Sequence, residues 1–183
     1  VELNLGCPNI HDGGASKPIF SYHPEQVEAV LDHMEYFAFK RQRVGIKLSP
    51  VPDSIIKKLA PIIRQSVVTE IVAINTEPHQ EMFKPDGTPA LSYLPPDASA
   101  LMHTGGQAGA AVREASLRVL RTLKVYLPDM PIINAGGNFT GQDMKGALDL
   151  GAAGCQFATA YLEYGPQIFS DAFNEIVGLN EGM

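Results

Sequence analysis

The sequence predicts an α/β fold built on a parallel sheet. Two observations carry this. Five short apolar runs alternate with helical stretches, the rhythm of β-α units joined by right-handed crossovers. Polar or glycine-rich residues follow the runs directly, as in Gly6-Cys7-Pro8-Asn9, Asn75-Thr76 and Gly136-Gly137. Polar chemistry just past strand C-termini is where an α/β barrel presents its site. The 183 residues suffice for one domain with a sizeable core, and residues 1–183 are read as a single domain.

The first strand lies in Val1–Leu5, where Val1, Leu3 and Leu5 alternate with Glu2 and Asn4. It breaks at Gly6–Asn9, where Gly6 frees the backbone and Pro8 fixes it. A thiol, Cys7, therefore sits on a bend between amide side chains; a buried free thiol in a simple turn is the bland alternative. His11–Ser21 is polar and glycine-rich, so it reads as a loop, either a flap over the site or a passive connection. Pro24-Glu25 opens a helix to about Arg41, with Val27, Val30, Leu31 and Met34 on one face.

Val44–Leu48 is a strand carrying Lys47, which must pair, snorkel or face a ligand. The next helix is read over Ser54–Gln65, with Pro61 expected to kink or shorten it. Glu70–Ile74 is a strand ending in Asn75-Thr76. Glu77–Thr104 is read as a long irregular connection with a small β-excursion around Pro85–Leu91. Thr104–Gly109 packs three glycines into a loop ahead of a helix over Arg113–Tyr126. Pro131–Ala135 is a strand, followed by Gly136-Gly137 and a helix from Thr140 to about Leu150. The last strand is read over Cys155–Ala160 and the last helix from about Pro166 to Val177.

The apolar content of 45% fits a globular protein, and no apolar run approaches the roughly 18–20 residues of a membrane span. A net charge of −6 argues against sequence-independent nucleic-acid binding. Two cysteines are too few for a disulfide scaffold and fit a reducing, cytoplasmic setting. The five histidines have no metal-ligand spacing, so no metal is expected. The chain opens directly on a strand without an initiator Met, which leads us to expect a fragment or processed chain without a secretory leader. Asn138-Phe139-Thr140 fits a glycosylation sequon but carries no weight in such a setting, and Cys155 reads as core.

Two elements look like halves of one phosphate site. Gly136-Gly137 follows one strand, and Ala158-Thr159 ends the next apolar run ahead of a helical segment. Backbone N–H groups at such turns bind phosphate, and the last two strands of a (β/α)8 barrel are the usual place for them.

ELNLGCPN, VGIKLSP, INT, GGQAG, INAGGNFTGQD and GAAGCQFATA, in this order and spacing, resemble the dihydroorotate dehydrogenase family. The similarity is strongest to the soluble class 1 branch, which carries Cys as its base, and spans essentially the whole chain. The resemblance implies an FMN-binding (β/α)8 barrel, of which this chain holds only strands 4–8. It implies oxidation of dihydroorotate to orotate in pyrimidine biosynthesis. Cys7 matches the base that removes the C5 proton while hydride leaves C6 for the flavin. Asn4, Asn9, Asn75 and Thr76 match the groups that hold the pyrimidine, and Asn4 also touches the flavin. Lys47 matches the lysine at the flavin's pyrimidine end; Ile74 and Gly109 match backbone contacts to it. Gly136, Gly137, Ala158 and Thr159 match its phosphate cradle.

Three positions differ from the family pattern: Gly6 stands for the usual Ser, Ala158 for the usual Gly, and Glu77 for a small or apolar residue. A minimal barrel needs ~200–250 residues, so the partner expected is the missing N-terminal half, or a second copy in a homodimer. The resemblance leaves the electron acceptor open among fumarate, a quinone, and NAD through a partner subunit. Two other readings remain open: a different pyrimidine flavin oxidoreductase, similar to dihydropyrimidine dehydrogenase, and a non-catalytic FMN-binding or interaction fragment.

Overall fold

The computed structural model describes residues 1–7, 11–12, 15–16, 18–36, 43–81, 86–88 and 104–181. Its centre is a parallel sheet of β1 (Glu2–Asn4), β4 (Gly45–Leu48), β5 (Glu70–Ala73), β8 (Ile132–Ala135) and β9 (Gly154–Gln156), paired in that spatial order. The spatial order follows the chain order without reversal. That is the winding of a barrel; a doubly wound sheet reverses direction at a switch point. The register aligns Leu3 with Ile46, Ile46 with Ile71, Ile71 with Ile132, and Ile133 with Gly154. Among the described residues, β1 and β9 each have one pairing neighbour.

The crossovers are α1 (Pro24–Glu35), α2 (Asp53–Gln65), α3 (Arg113–Tyr126) and α4 (Gly141–Asp149); α5 (Thr159–Tyr164) and α6 (Gln167–Glu181) follow β9. Each crossover buries one apolar stripe on the sheet: Val27 and Leu31 from α1, Ile56, Leu59 and Ile63 from α2, Leu120 and Leu123 from α3. Ile46 and Leu48 meet these helices, while Lys47 between them projects to the opposite face by the alternation of a strand.

Pro61 does not shorten α2, which runs on to Gln65. The ring lies on the exposed face, where water can serve the carbonyl one turn back. Complete burial of Ile56, Leu59 and Ile63 outweighs the lost bond.

Three further expectations change. The His11–Ser21 stretch holds a short antiparallel pair, β2 (His11–Asp12) with β3 (Ala15–Ser16), and a 3-10 turn begins at Phe20. The glycine-rich stretch before α3 is a strand, β7 (Thr104–Gln107), paired antiparallel with β6 (Glu77–Glu81). Gly106 is required there because a Cβ would lie 2.2 Å from Thr76 Oγ1. The last strand stops at Gln156, since Thr159 already begins α5. Residues 37–41 of the first expected helix, and most of the excursion expected around Pro85–Leu91, lie outside the described residues.

Candidate active site

Cys7 follows β1 directly as a half-buried free thiol. The two carbonyls ahead of it are fixed by buried hydroxyls. Ser21 donates to Leu5 O from its N–H (3.0 Å) and its Oγ (2.8 Å). Ser49 Oγ donates to Gly6 O at 3.2 Å, and Ser49 N–H donates to Ser21 Oγ at 3.1 Å. Ser21 and Ser49 are both fully buried. They explain Gly6: a Cβ there would lie 2.8 Å from Ser49 N and 2.9 Å from Ser49 Oγ. The volume a residue-6 side chain would need is filled from position 49.

Asn4 and Asn75 tie the ends of β1 and β5 together. Asn75 Nδ2 donates to Asn4 Oδ1 at 2.8 Å, and Gly6 N–H donates to the same oxygen at 3.1 Å. Asn75 Oδ1 in turn accepts from Thr76 N–H at 2.8 Å. Each amide is thereby held in one orientation.

Beside this pair opens a cleft, continuous with solvent. Lys47, Ile74, Asn75, Thr76, Gly109, Gly136, Gly137, Ala158 and Thr159 all line it, so residues spread over 113 positions converge on one space. Lys47 Nζ reaches Gln156 Oε1 at 3.4 Å across the sheet face. A lysine on a buried strand therefore faces the cleft, where its charge meets whatever binds there. Ile74 N–H donates to Ala135 O at 2.6 Å, closing β5 onto β8 at the cleft floor.

The lower end of the cleft is built from two turns. Gly136 (φ +117°) and Gly137 (φ +77°) turn the chain out of β8 in conformations that favour glycine. A Cβ on Gly137 would lie 2.5 Å from Arg113 Cβ. Gly109 (φ +77°) lies against Thr159, whose Cγ2 would be 3.3 Å from an added Cβ. Ala158, by contrast, has φ −116°, so the replacement of glycine there is free of backbone strain. Among the described residues, neither the Gly137 nor the Ala158 amide N–H finds an acceptor within the chain.

The N-terminus of α4 is already filled. Glu175 accepts from Gly141 N–H (2.8 Å) and Gln142 N–H (3.2 Å). Asp143 accepts from Phe139 N–H (2.9 Å) and Thr140 N–H (3.1 Å), and Thr140 Oγ1 accepts from Asp143 N–H, a complete capping box. Arg113 Nη1 pairs with Asp143 Oδ1 at 2.8 Å, too poorly aligned to count as a hydrogen bond. An anion in this cleft must therefore use the two turns, not the α4 terminus. Asp143→Ala keeps the Thr140 cap but removes the carboxylate that accepts from Phe139 and Thr140 N–H, and strands a half-buried guanidinium; a stability loss of about 1–3 kcal/mol in urea unfolding is expected.

The structure separates the remaining candidates. Cys7 sits at the end of β1 but does not line the cleft. Asn4 joins the cleft through its bond to Asn75, and Asn9 lies outside the described residues. Glu77 does not line the cleft either. Burial pushes the Tyr22 phenol up, and the negative charge of Glu77 adds to this while Arg118 opposes it. Burial also pushes the Cys155 thiol up to about 11, with Arg113 opposing, and its Sγ rests 3.9 Å from Met144 O. Cys155 is core. Asn138 and Gln156 line the cleft although neither was assigned a binding role from the motifs that contain them. Their signal, adjacency to the glycine turn and to the last strand end, was present but shared with neighbours.

Among the described residues no helix is long and apolar enough to cross a membrane. A family model described as dihydroorotate dehydrogenase matches residues 1–179. Dihydroorotate dehydrogenase A (fumarate) of Lactococcus lactis subsp. cremoris is 32% identical over 178 residues, 96% of this chain and 53% of that protein. Dihydroorotate dehydrogenase (quinone) of Burkholderia pseudomallei is 30% identical over 135 residues, 73% of this chain and 36% of that protein. The crystal structure of DHODH from Eimeria tenella, in complex with ferulenol, superposes with a TM-score of 0.75 at 16% identity, covering 99% of this chain and 50% of that one. The chain thus spans about half the length of the relatives it matches, and its five-stranded sheet is part of their barrel. With residues 1–179 matched by that family's model, the chain belongs to the dihydroorotate dehydrogenase family.

Proposed function

We propose that this chain is the C-terminal part of an FMN-dependent dehydrogenase that oxidises dihydroorotate to orotate in pyrimidine biosynthesis. The observation that carries the reading is the convergence of Lys47, Asn75-Thr76, Gly109, Gly136-Gly137 and Ala158-Thr159 on one cleft. The residues present fit FMN: the unpaired Gly137 and Ala158 amides at the two turns suit a phosphate. Gly136, Gly137, Ala158 and Thr159 would hold the phosphate, and Lys47, Ile74, Gly109 and Asn4 the ring system. When bound, FMN supplies a two-electron acceptor for the hydride from C6 of the substrate.

The protein's own work is positioning and proton transfer. Asn4, Asn9, Asn75 and Thr76 donate to and accept from the polar edge of the pyrimidine. Cys7 Sγ takes the proton from C5, so that the C5–H and C6–H pairs are replaced by the C5=C6 double bond. Lys47 offsets the negative charge that reduction places on the ring. Two features support a polypeptide partner that completes the barrel: among the described residues β1 and β9 each have a single pairing neighbour, and Leu162, Tyr164, Phe169 and Phe173 are exposed on α5 and α6. A cytoplasmic enzyme is in keeping with this reading.

The visible spectrum of the purified chain with added FMN tests it. Bound flavin is expected, and reduction by dihydroorotate rather than dihydrouracil identifies the substrate. Lys47→Met is expected to weaken FMN binding and slow reduction about tenfold or more, given a lost charge interaction at the ring. A chain that binds no FMN, alone or with the missing half supplied, sinks the proposal. Reduction by dihydrouracil alone would move it to the dihydropyrimidine dehydrogenase-like alternative.

A further inference from the structure

The two turns of the cradle leave neighbouring paired strands, β8 and β9, and the Asn138 side chain ties the two a further time beyond the ladder. Asn138 is 3% exposed, and its Nδ2 donates to two backbone carbonyls, Asn134 O on β8 at 3.3 Å and Gln156 O at the end of β9 at 3.1 Å. One side chain thus bridges the strand that leads into Gly137 and the strand that leads into Ala158. Its Oδ1, also buried, has no donor among the described residues. A buried amide oxygen without a partner is costly, so packing alone does not account for an amide at this position. An aliphatic residue would fill the volume without that cost, but it would provide no bridge.

We infer that Asn138 is a positioning residue that holds the Gly137 and Ala158 turns at the spacing a phosphate monoester needs, so that this cleft sorts phosphorylated from unphosphorylated ligands. The inference rests on the flavin reading above and extends it to a residue whose amide is committed to two backbone carbonyls. FMN and riboflavin are the natural probes, because they differ only by the phosphate.

The test titrates the 183-residue chain with each flavin, followed by quenching of flavin fluorescence, in the wild type, Asn138→Val and Asn138→Asp. Neither variant can donate to both carbonyls. FMN affinity is expected to fall about tenfold, the worth of one good hydrogen bond, while riboflavin changes by less than about twofold. Should the valine variant fail to fold by circular dichroism, Asn138→Ser, smaller and polar, takes its place. Equal losses for both flavins would mean a general structural role and would overturn the inference, as would an unchanged FMN affinity. A wild type that binds neither flavin, alone or with the remainder of the barrel supplied, or that binds both equally, overturns the phosphate-cradle reading itself and this inference with it.

Discussion

Cys7→Ala is expected to slow dihydroorotate oxidation in the flavin-loaded protein by about 10³-fold, within the range that a positioned general base contributes. The expectation rests on how the thiol is presented. Ser21 and Ser49 lock the carbonyls of Leu5 and Gly6, leaving the backbone ahead of Cys7 little freedom. Preorganisation of this kind is what makes a base effective, since it need not be found at the moment of reaction. Cys155 offers no substitute: its thiol is pushed up to about 11 by burial and lies against α4, away from the cleft. Anaerobic stopped-flow of flavin reduction is the measurement. Cys7→Ser, which keeps a hydroxyl of higher pKa, should recover part of the rate as the pH rises. An unchanged rate in Cys7→Ala would remove Cys7 as the base.

Gly137→Ala is expected to destabilise the chain by about 2–5 kcal/mol, the sum of a left-handed backbone penalty and an overpacking cost. The added Cβ would lie 2.5 Å from Arg113 Cβ, 2.7 Å from Arg113 Cα and 3.0 Å from Arg113 N. Two of these atoms are backbone at the start of α3, which is anchored through buried Ser116, Leu117 and Leu120 and cannot recede. Gly165→Ala is the internal control. Gly165 has a similar φ of +73° but nothing within 4 Å of an added Cβ, so only a backbone penalty of about 1–3 kcal/mol should appear, with no steric cost added. Urea unfolding of the two variants separates the conformational term from the steric one. Equal losses would show that α3 yields, and that the close approach is not what demands glycine at position 137.

The parallel sheet was legible because each strand and its crossover carry their own local pattern. The helix read over Arg113–Tyr126 is found with those limits as α3. The β6–β7 pair was not legible. Its two strands are more than twenty residues apart, and glycines such as Gly105 and Gly106 have low strand propensity. Pairing with Glu77–Glu81 and contact with Thr76 override that propensity, and neither is local. The same holds for the last strand: Phe157 and Ala158 are apolar and read as strand, yet the chain must leave the sheet there to begin α5.

In the site, the sequence by itself determined which residue types stand at the strand ends: a thiol at Cys7, amides at Asn4 and Asn75, a lysine at position 47 and glycines at Gly136-Gly137. Those follow from strand-then-turn patterns and from a family resemblance carried by ordered motifs. Only the tertiary structure decided that Lys47 and Gln156 share one face, that Ser49 fills the space that requires Gly6, and that Glu175 closes the α4 terminus. The physical reason is the same in each case. These are contacts between residues 34 to 109 positions apart, set by the winding of the sheet and the depth of the packing, and a local pattern carries no record of them.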